Sequence, residues 1–116
     1  MTRFGINGVS PEAEYLYRQA REKVDDGEYQ HAVTLLHRAI EITPHYPHAL
    51  IELGNCFDYL NRYDDAVLFY EKVIAVDPLH ADAWFNKGMS LKKMNRDKEA
   101  LPCIETHLEE IVRTTD

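Results

Sequence analysis

The sequence has few cysteines, no long apolar run and fewer basic than acidic residues. Its 116 residues include only Cys56 and Cys103, which are too few for a disulfide scaffold and favour a reducing, cytoplasmic compartment. No stretch approaches the ~18 apolar residues of a membrane span, and the start of the chain has no apolar run that could act as a signal peptide. The 13 Lys and Arg against 20 Asp and Glu give a net charge of -7. This charge argues against a nucleic-acid partner, because phosphate binding needs concentrated positive charge.

The motifs of common catalytic and metal sites are missing as well. The sequence has no Cys-x2-Cys or His-Glu-x-x-His spacing, no glycine-rich phosphate loop and no nucleophile elbow. His45 and His48 are close in sequence, but Pro47 lies between them, so their side chains need not converge on a metal ion. We therefore expect no metal, no cofactor and no enzymatic activity.

What the sequence does contain is an internal repeat. When the chain is shifted on itself by 34 residues, small residues align with small ones, bulky with bulky, and turn formers with turn formers. The aligned sets include Leu16, Leu50 and Trp84; Ala20, Gly54 and Gly88; Gly27, Asn61 and Asn95; Ala32, Ala66 and Ala100; and Pro44 with Pro78.

Each repeat unit reads as two amphipathic helices, because apolar residues recur at helical spacing on both sides of a short polar interruption. The pattern predicts six helices and no sheet, at residues 11–25, 29–42, 47–60, 64–76, 81–94 and 97–112. Ser10 and Pro11 form a typical helix start. Pro102 should bend the last helix or delay its start. The small residues should allow close helix crossings, Gly54 opposite Ala66 and Gly88 opposite Ala100.

The pattern resembles the tetratricopeptide repeat family. The second unit carries the family's motif best, and the resemblance extends over residues 13–114. It implies an all-α, right-handed superhelix of three antiparallel helical hairpins, with repeats at 13–46, 47–80 and 81–114. Residues 1–10 would be a flexible segment and residues 115–116 a tail. The residues that carry the motif are Leu50, Leu53, Gly54, Phe57, Ala66, Tyr70, Val73 and Pro78.

The resemblance also implies a function, which is binding of a peptide or protein segment in a concave groove lined by the first helix of each hairpin. Tyr17, Ile51 and Phe85 would form an apolar stripe along it, and Asn55 and Asn86 could hold a peptide backbone. The alternative is that these residues pack against adjacent repeats and that both asparagines are family consensus. The predicted binding residues are Tyr17, Arg18, Arg21, Ile51, Glu52, Asn55, Phe85, Asn86 and Met89. The resemblance implies further groove-facing positions, which hold Glu14, Val24, Asp25, His48, Asp58, Tyr59, Asp82, Lys92 and Lys93.

One subtype of the family grips the terminal carboxylate of a peptide with a two-carboxylate clamp of lysines and asparagines. Here the clamp positions hold Tyr17, Arg21, Glu52, Asp82 and Asn86. Two of these residues are acidic and would repel a carboxylate, so the clamp function is disfavoured.

The last helix raises the question of self-assembly. Ile104, Leu108 and Ile111 form a possible oligomer face, because no seventh helix follows to cover them. Polar residues at His107 and Glu110, where earlier repeats are apolar, indicate that the array ends here. We expect a monomer rather than a homodimer; the alternative function is a self-assembly module that forms a homo-oligomer through its terminal helices.

Overall fold

A computed structural model of the protein describes residues 8–115. These residues form six α-helices and no strand, which confirms the predicted all-α fold. All predicted helix boundaries lie within one residue of the observed ones, except that the last helix is three residues longer. The helices are α1 (Pro11–Asp25), α2 (Tyr29–Ile42), α3 (Pro47–Tyr59), α4 (Tyr63–Val76), α5 (Ala81–Lys93) and α6 (Asp97–Thr115).

The chain before α1 packs against the body of the protein where it is described. Val9 lies against the main core, and the Ser10 amide donates to Thr43 Oγ1 at 3.3 Å. The Ser10 side chain accepts from the amide of Glu12 at 3.3 Å, so the predicted helix cap is confirmed. Residues 1–7 of the segment predicted to be flexible lie outside the described residues.

The three hairpin turns share one geometry, which the repeat alignment anticipated. Gly27, Asn61 and Asn95 all have a left-handed backbone, with φ of 77°, 60° and 61°. In each turn the next amide bonds back to the carbonyl five residues earlier, for example Arg62 to Phe57 at 2.8 Å. This is the Schellman termination, which glycine and asparagine favour because they tolerate positive φ.

Each hairpin packs against the next one, so the three hairpins form a helical-repeat solenoid. Consecutive helices contact one another, and α3 additionally contacts α1 and α5. The first helices of the hairpins therefore lie side by side and form one face of the molecule. Within residues 8–115 no helix combines the length and the apolar character needed to cross a membrane.

Glycines permit the close helix crossings. The nearest side chain above Gly54 is the ring of Tyr70: a Cβ at residue 54 would lie 2.3 Å from Tyr70 Cε1. A Cβ at Gly88 would lie 2.8 Å from Ile104 Cγ1 and 3.2 Å from the Ala100 carbonyl oxygen, which fits the prediction for that crossing.

Pro102 does not delay the start of α6. The helix begins at Asp97 and continues through the proline. Pro102 has no amide hydrogen, so one backbone bond is missing near the exposed start of the helix. The burial of Ala100 and Cys103 against α5 offsets this loss.

Candidate functional site

The face formed by α1, α3 and α5 carries a cavity of about 550 Å³. Its walls come mainly from α3 and α5, which places amide, carboxylate and apolar groups around one opening. Five of the predicted groove residues come together there. They are Glu52, Asn55, Phe85, Asn86 and Met89; Val24, Asp58, Tyr59 and Lys93 complete the lining.

The remaining predicted groove residues lie elsewhere on the face. Tyr17 and Arg18 line a separate cavity of about 510 Å³ beside the loop between α2 and α3. Arg21 links the two cavities, because its guanidinium donates to the Tyr17 hydroxyl at 3.1 Å and lies 3.4 Å from Glu52. The hydrogen bond to Tyr17, and then the charge of Glu52, raise the pKa of Arg21. Ile51 lines neither cavity and packs against the main core.

The residues predicted to form an apolar stripe, Tyr17, Ile51 and Phe85, differ in their surroundings. Tyr17 and Ile51 are half-buried against the core, and the Tyr17 ring lies 5.4 Å from that of Tyr46. These two residues therefore also pack laterally between repeats. Phe85 is 38% exposed, although its ring centre lies 4.9 Å from that of His107. Phe85 is thus the one residue of the stripe that is exposed in the cavity.

A buried polar network forms the floor of the 550 Å³ cavity. The Tyr70 hydroxyl donates to Asp58 Oδ2 at 2.6 Å and lies 2.8 Å from Asn55 Oδ1. The Ser90 hydroxyl donates to the other Asp58 oxygen at 2.7 Å, and Asn86 Nδ2 donates to Asn55 Oδ1 at 3.3 Å. The network joins α3, α4 and α5, so hydrogen bonds as well as apolar contacts hold the walls of the cavity together.

Burial makes this network expensive to break. Tyr70 and Ser90 are fully buried, and a buried polar group without its partner costs ~1–3 kcal/mol. Burial, and then the hydrogen bond to Asp58, raise the pKa of Tyr70 far above its ordinary value. Its hydroxyl therefore stays protonated and acts as a donor. The sequence analysis missed this network, although a serine at a core position of α5 was a usable signal.

Both asparagines retain hydrogen-bonding capacity on the open side of the cavity. Asn55 and Asn86 are half-buried, and they share one hydrogen bond. Each primary amide has two N–H donors and a carbonyl acceptor, so groups remain for a ligand. A donor and an acceptor side by side match the N–H and C=O of a peptide backbone.

Both carboxylates at the cavity have partners, whereas the ammonium group of Lys93 keeps its charge. Glu52 pairs with Arg21, and the Asp58 oxygens accept from the hydroxyls of Tyr70 and Ser90. The Lys93 ammonium lies 5.4 Å from the centre of the Tyr63 ring, which positions the group without neutralising it. A peptide carboxylate beside Glu52 and Asp58 would meet charge of its own sign.

The three residues of the possible oligomer face on α6 differ in exposure. Ile104 packs on Gly88 inside the third hairpin and is half-buried. Leu108 is 55% and Ile111 43% exposed. Glu110, expected to be a polar end residue, is 6% exposed and lies 3.6 Å from Arg113.

Among the described residues, no group of three His, Cys, Asp or Glu side chains could hold a metal ion. His45 and His48 instead lie beside the aromatic rings at the second cavity, where the His48 ring centre is 6.0 Å from that of Tyr17. Cys56 and Cys103 are both buried free thiols, and burial raises the pKa of Cys56 to about 12.

Comparison with known proteins identifies the fold family. A sequence model of the tetratricopeptide repeat matches residues 23–84, and a second one matches residues 69–101. The chain belongs to the tetratricopeptide repeat family. The first of these matches alone covers more than half of this chain.

Two relatives each match a part of this chain. An uncharacterized protein of Methanocaldococcus jannaschii, MJ0572, is 34% identical over 64 residues, which are 50% of this chain and 70% of that protein. The protein adenylyltransferase Fic of Nematostella vectensis is 29% identical over 82 residues, which are 68% of this chain and only 18% of that protein. The match thus concerns a small part of Fic.

Solved tetratricopeptide repeat structures superpose closely on this chain. The crystal structure of MamA has a TM-score of 0.87 at 27% identity; it covers 90% of this chain, which spans 61% of MamA. The second repeat domain of Spaghetti (RPAP3), bound to the HSP90 peptide SRMEEVD, has a TM-score of 0.82 at 17% identity and covers 84% of this chain and 91% of its own. At that identity the RPAP3 likeness concerns the fold.

Proposed function

We propose that this tetratricopeptide repeat chain is a non-catalytic protein-interaction adaptor that binds an extended peptide segment on the face of α1, α3 and α5. One observation carries the proposal: the paired amides of Asn55 and Asn86 lie in one cavity with the exposed ring of Phe85. The amides would bind the peptide backbone, while Phe85 and Met89 would contact an apolar side chain.

The RPAP3 domain supports peptide binding by this type of fold, since it is bound to an HSP90 peptide. The partner of this chain should differ in chemistry. Glu52 lies in the cavity at a clamp position and would repel a peptide carboxylate. We therefore propose an internal peptide segment as the ligand. The buried free thiols of Cys56 and Cys103 are compatible with the proposed cytoplasmic location.

Peptide selection followed by mutagenesis tests this function. Random peptides displayed on phage are selected on the immobilised chain, and affinities of the selected sequences are measured by fluorescence anisotropy. Phe85→Ala and Asn86→Ala should each weaken binding roughly tenfold, because both remove groups from the centre of the proposed site. Leu68→Ala is the matched control, since Leu68 is 48% exposed on α4, a helix that does not line the cavity. Wild-type affinity in both cavity variants would show that the peptides bind elsewhere.

Self-assembly is the alternative function, and one observation favours it. Leu101 on α6 is 58% exposed, whereas Val33 and Val67 at the equivalent positions of the earlier repeats are 4% and 8% exposed. In those repeats the next hairpin covers the valine. A second copy could cover Leu101 and Leu108 in the same way, and the mass of the protein in solution distinguishes this function from a monomeric adaptor.

A further inference from the structure

A larger cavity lies at the junction of the first and second hairpins. It has a volume of about 630 Å³, within the ~300–1,000 Å³ that is usual for ligand sites. It shares no lining residue with the cavity of the proposed peptide groove. We call it the inter-repeat cavity, and its lining residues are Ile40, Pro44, His45, Leu50, Lys72, Ala75 and Val76.

The repeat supplies an internal comparison for this cavity. At the junction of the second and third hairpins, Trp84 stands at the position of Leu50. Its indole N–H donates to the carbonyl of Pro78, the equivalent of Pro44, at 2.8 Å. The Trp84 ring therefore lies against Pro78 at the second junction, whereas the smaller Leu50 side chain leaves space beside Pro44 at the first junction. The space at the first junction is thus a property of its own residues rather than of every repeat junction.

The second difference between the junctions is charge. Lys72, Ala75 and Val76 correspond to Thr106, Glu109 and Glu110 in the last repeat. The described lining of the inter-repeat cavity includes no carboxylate, while it includes one ammonium group and the His45 imidazole. The positive charge of Lys72 is local, because the whole chain carries a net charge of -7.

The ammonium group of Lys72 is available to a ligand. Lys72 is exposed, and within residues 8–115 it forms no ion pair. Its Nζ lies 5.7 Å from the centre of the Phe69 ring, which positions the group without neutralising it. An apolar floor below an unpaired cation is complementary to an aliphatic group that stands beside a carboxylate.

We propose that the inter-repeat cavity is a second binding site, which takes a peptide segment with an aliphatic side chain next to an aspartate or glutamate. The aliphatic side chain lies against Ile40 and Val76, above the buried Leu50, and the carboxylate pairs with Lys72. A single flexible ammonium is a point charge and lacks the fork that grips a carboxylate in fixed geometry. We therefore assign the carboxylate to a side chain within the peptide and not to a peptide C-terminus.

Titration of the isotope-labelled chain with defined peptides tests this site by NMR. The probe is acetyl-Gly-Asp-Leu-Leu-Gly-amide; the comparison peptides have Asn in place of Asp, or end in Leu-Leu with a free carboxylate. The probe should shift the amides of Ile40, His45, Ala75 and Val76 in a saturable way, with Kd on the order of 1 mM. The Asn peptide should bind roughly threefold more weakly, the usual size for a solvent-accessible ion pair.

Two variants copy residues that the chain itself uses at its other junction. Ala75→Glu introduces the equivalent of Glu109 and should weaken probe binding roughly tenfold or more, by repulsion of the carboxylate. Lys72→Thr introduces the equivalent of Thr106 and should weaken it roughly threefold. Both positions are exposed, so the fold should be retained, which the spectra report directly. Lys98→Thr, at an exposed lysine of α6, is the control with the same change of charge.

Several results would overturn the proposal: no saturable shifts, equal affinity for the Asn peptide, unchanged binding by Ala75→Glu, or tighter binding of the peptide with the free terminal carboxylate. Shifts centred on Asn55 and Asn86 would place the probe in the groove and would also overturn it. The inter-repeat cavity shares His45 and Val76 with the cavity beside Tyr17 and Arg18, but no residue with the cavity around Asn55 and Asn86. Failure here therefore leaves the groove test with Phe85→Ala and Asn86→Ala unaffected.

Discussion

The contact between Gly54 and the Tyr70 ring can be tested by adding one methyl group. A Cβ at residue 54 would lie 2.3 Å from Cε1, 2.7 Å from Cδ1 and 2.8 Å from Cζ of Tyr70. The ring has little room to retreat, since Tyr70 is fully buried and its hydroxyl is held by Asp58. Gly54→Ala must therefore move the ring, the helix or both.

Two opposing effects decide the size of the change. Overpacking of a well-filled core costs ~1–3 kcal/mol. Alanine in place of glycine within a helix gains up to ~1 kcal/mol. Because 2.3 Å is far inside the van der Waals distance, overpacking should win, and we expect Gly54→Ala to lower the free energy of unfolding by about 2 kcal/mol.

The first repeat shows how the same crossing accommodates an alanine when a smaller side chain faces it. In the first repeat the equivalent positions hold Ala20 and Leu36, both fully buried. In a Tyr70→Leu background the ring is gone, so Gly54→Ala should be neutral or should stabilise by up to ~1 kcal/mol through helix propensity. The sign of the effect therefore reverses between the two backgrounds.

Urea unfolding of four proteins, followed by circular dichroism, measures this reversal: wild type, each single variant and the double variant. Gly88→Ala is the comparison, because its nearest neighbour is the half-buried Ile104 side chain at 2.8 Å, which can move; the loss should be smaller than at Gly54. If Gly54→Ala changed stability equally in both backgrounds, the Tyr70 contact would not be the cause, and our account of this crossing would be wrong.

Two further predictions concern the polar network and the oligomeric state. Ser90→Ala leaves one oxygen of the half-buried Asp58 without its protein donor and should lower the free energy of unfolding by ~1–3 kcal/mol. Thr34→Ala, which removes an exposed hydroxyl bond to Gln30, should change it by less than ~0.5 kcal/mol. Equal losses in urea unfolding would contradict the network. Light scattering should give the mass of one 13.5 kDa chain across a micromolar concentration series; a dimer that Leu108→Glu dissociates would instead favour the self-assembly function.

The helices and turns were predictable because their causes are local. Apolar spacing sets each helix, Ser10 caps the first one, and residues 27, 61 and 95 need a left-handed backbone that Gly and Asn accept. Because the same unit occurs three times, each local pattern could be checked against its two equivalents. The family resemblance, and the fold with it, followed from that repetition.

The candidate site was predictable only in part. The family resemblance implied that Glu52, Asn55, Phe85, Asn86 and Met89 share one face, and the structure brings all five to one cavity. The sequence could not show which residues of this face would be covered by neighbouring side chains. Tyr17 lies in another cavity, and Ile51 packs against the core.

The sequence by itself thus determined the number of helices, their ends and their pairing into hairpins, because spacing and capping act over a few residues. Only the tertiary structure decided that Tyr70 fills the space above Gly54 and that Asp58 joins Tyr70 to Ser90. It also decided that a cavity remains beside Leu50 at the first repeat junction, whereas Trp84 bonds to Pro78 at the second. These contacts depend on side-chain volume and on hydrogen-bond partners from other helices. Such partners are set by how the hairpins pack, and no single helix encodes them.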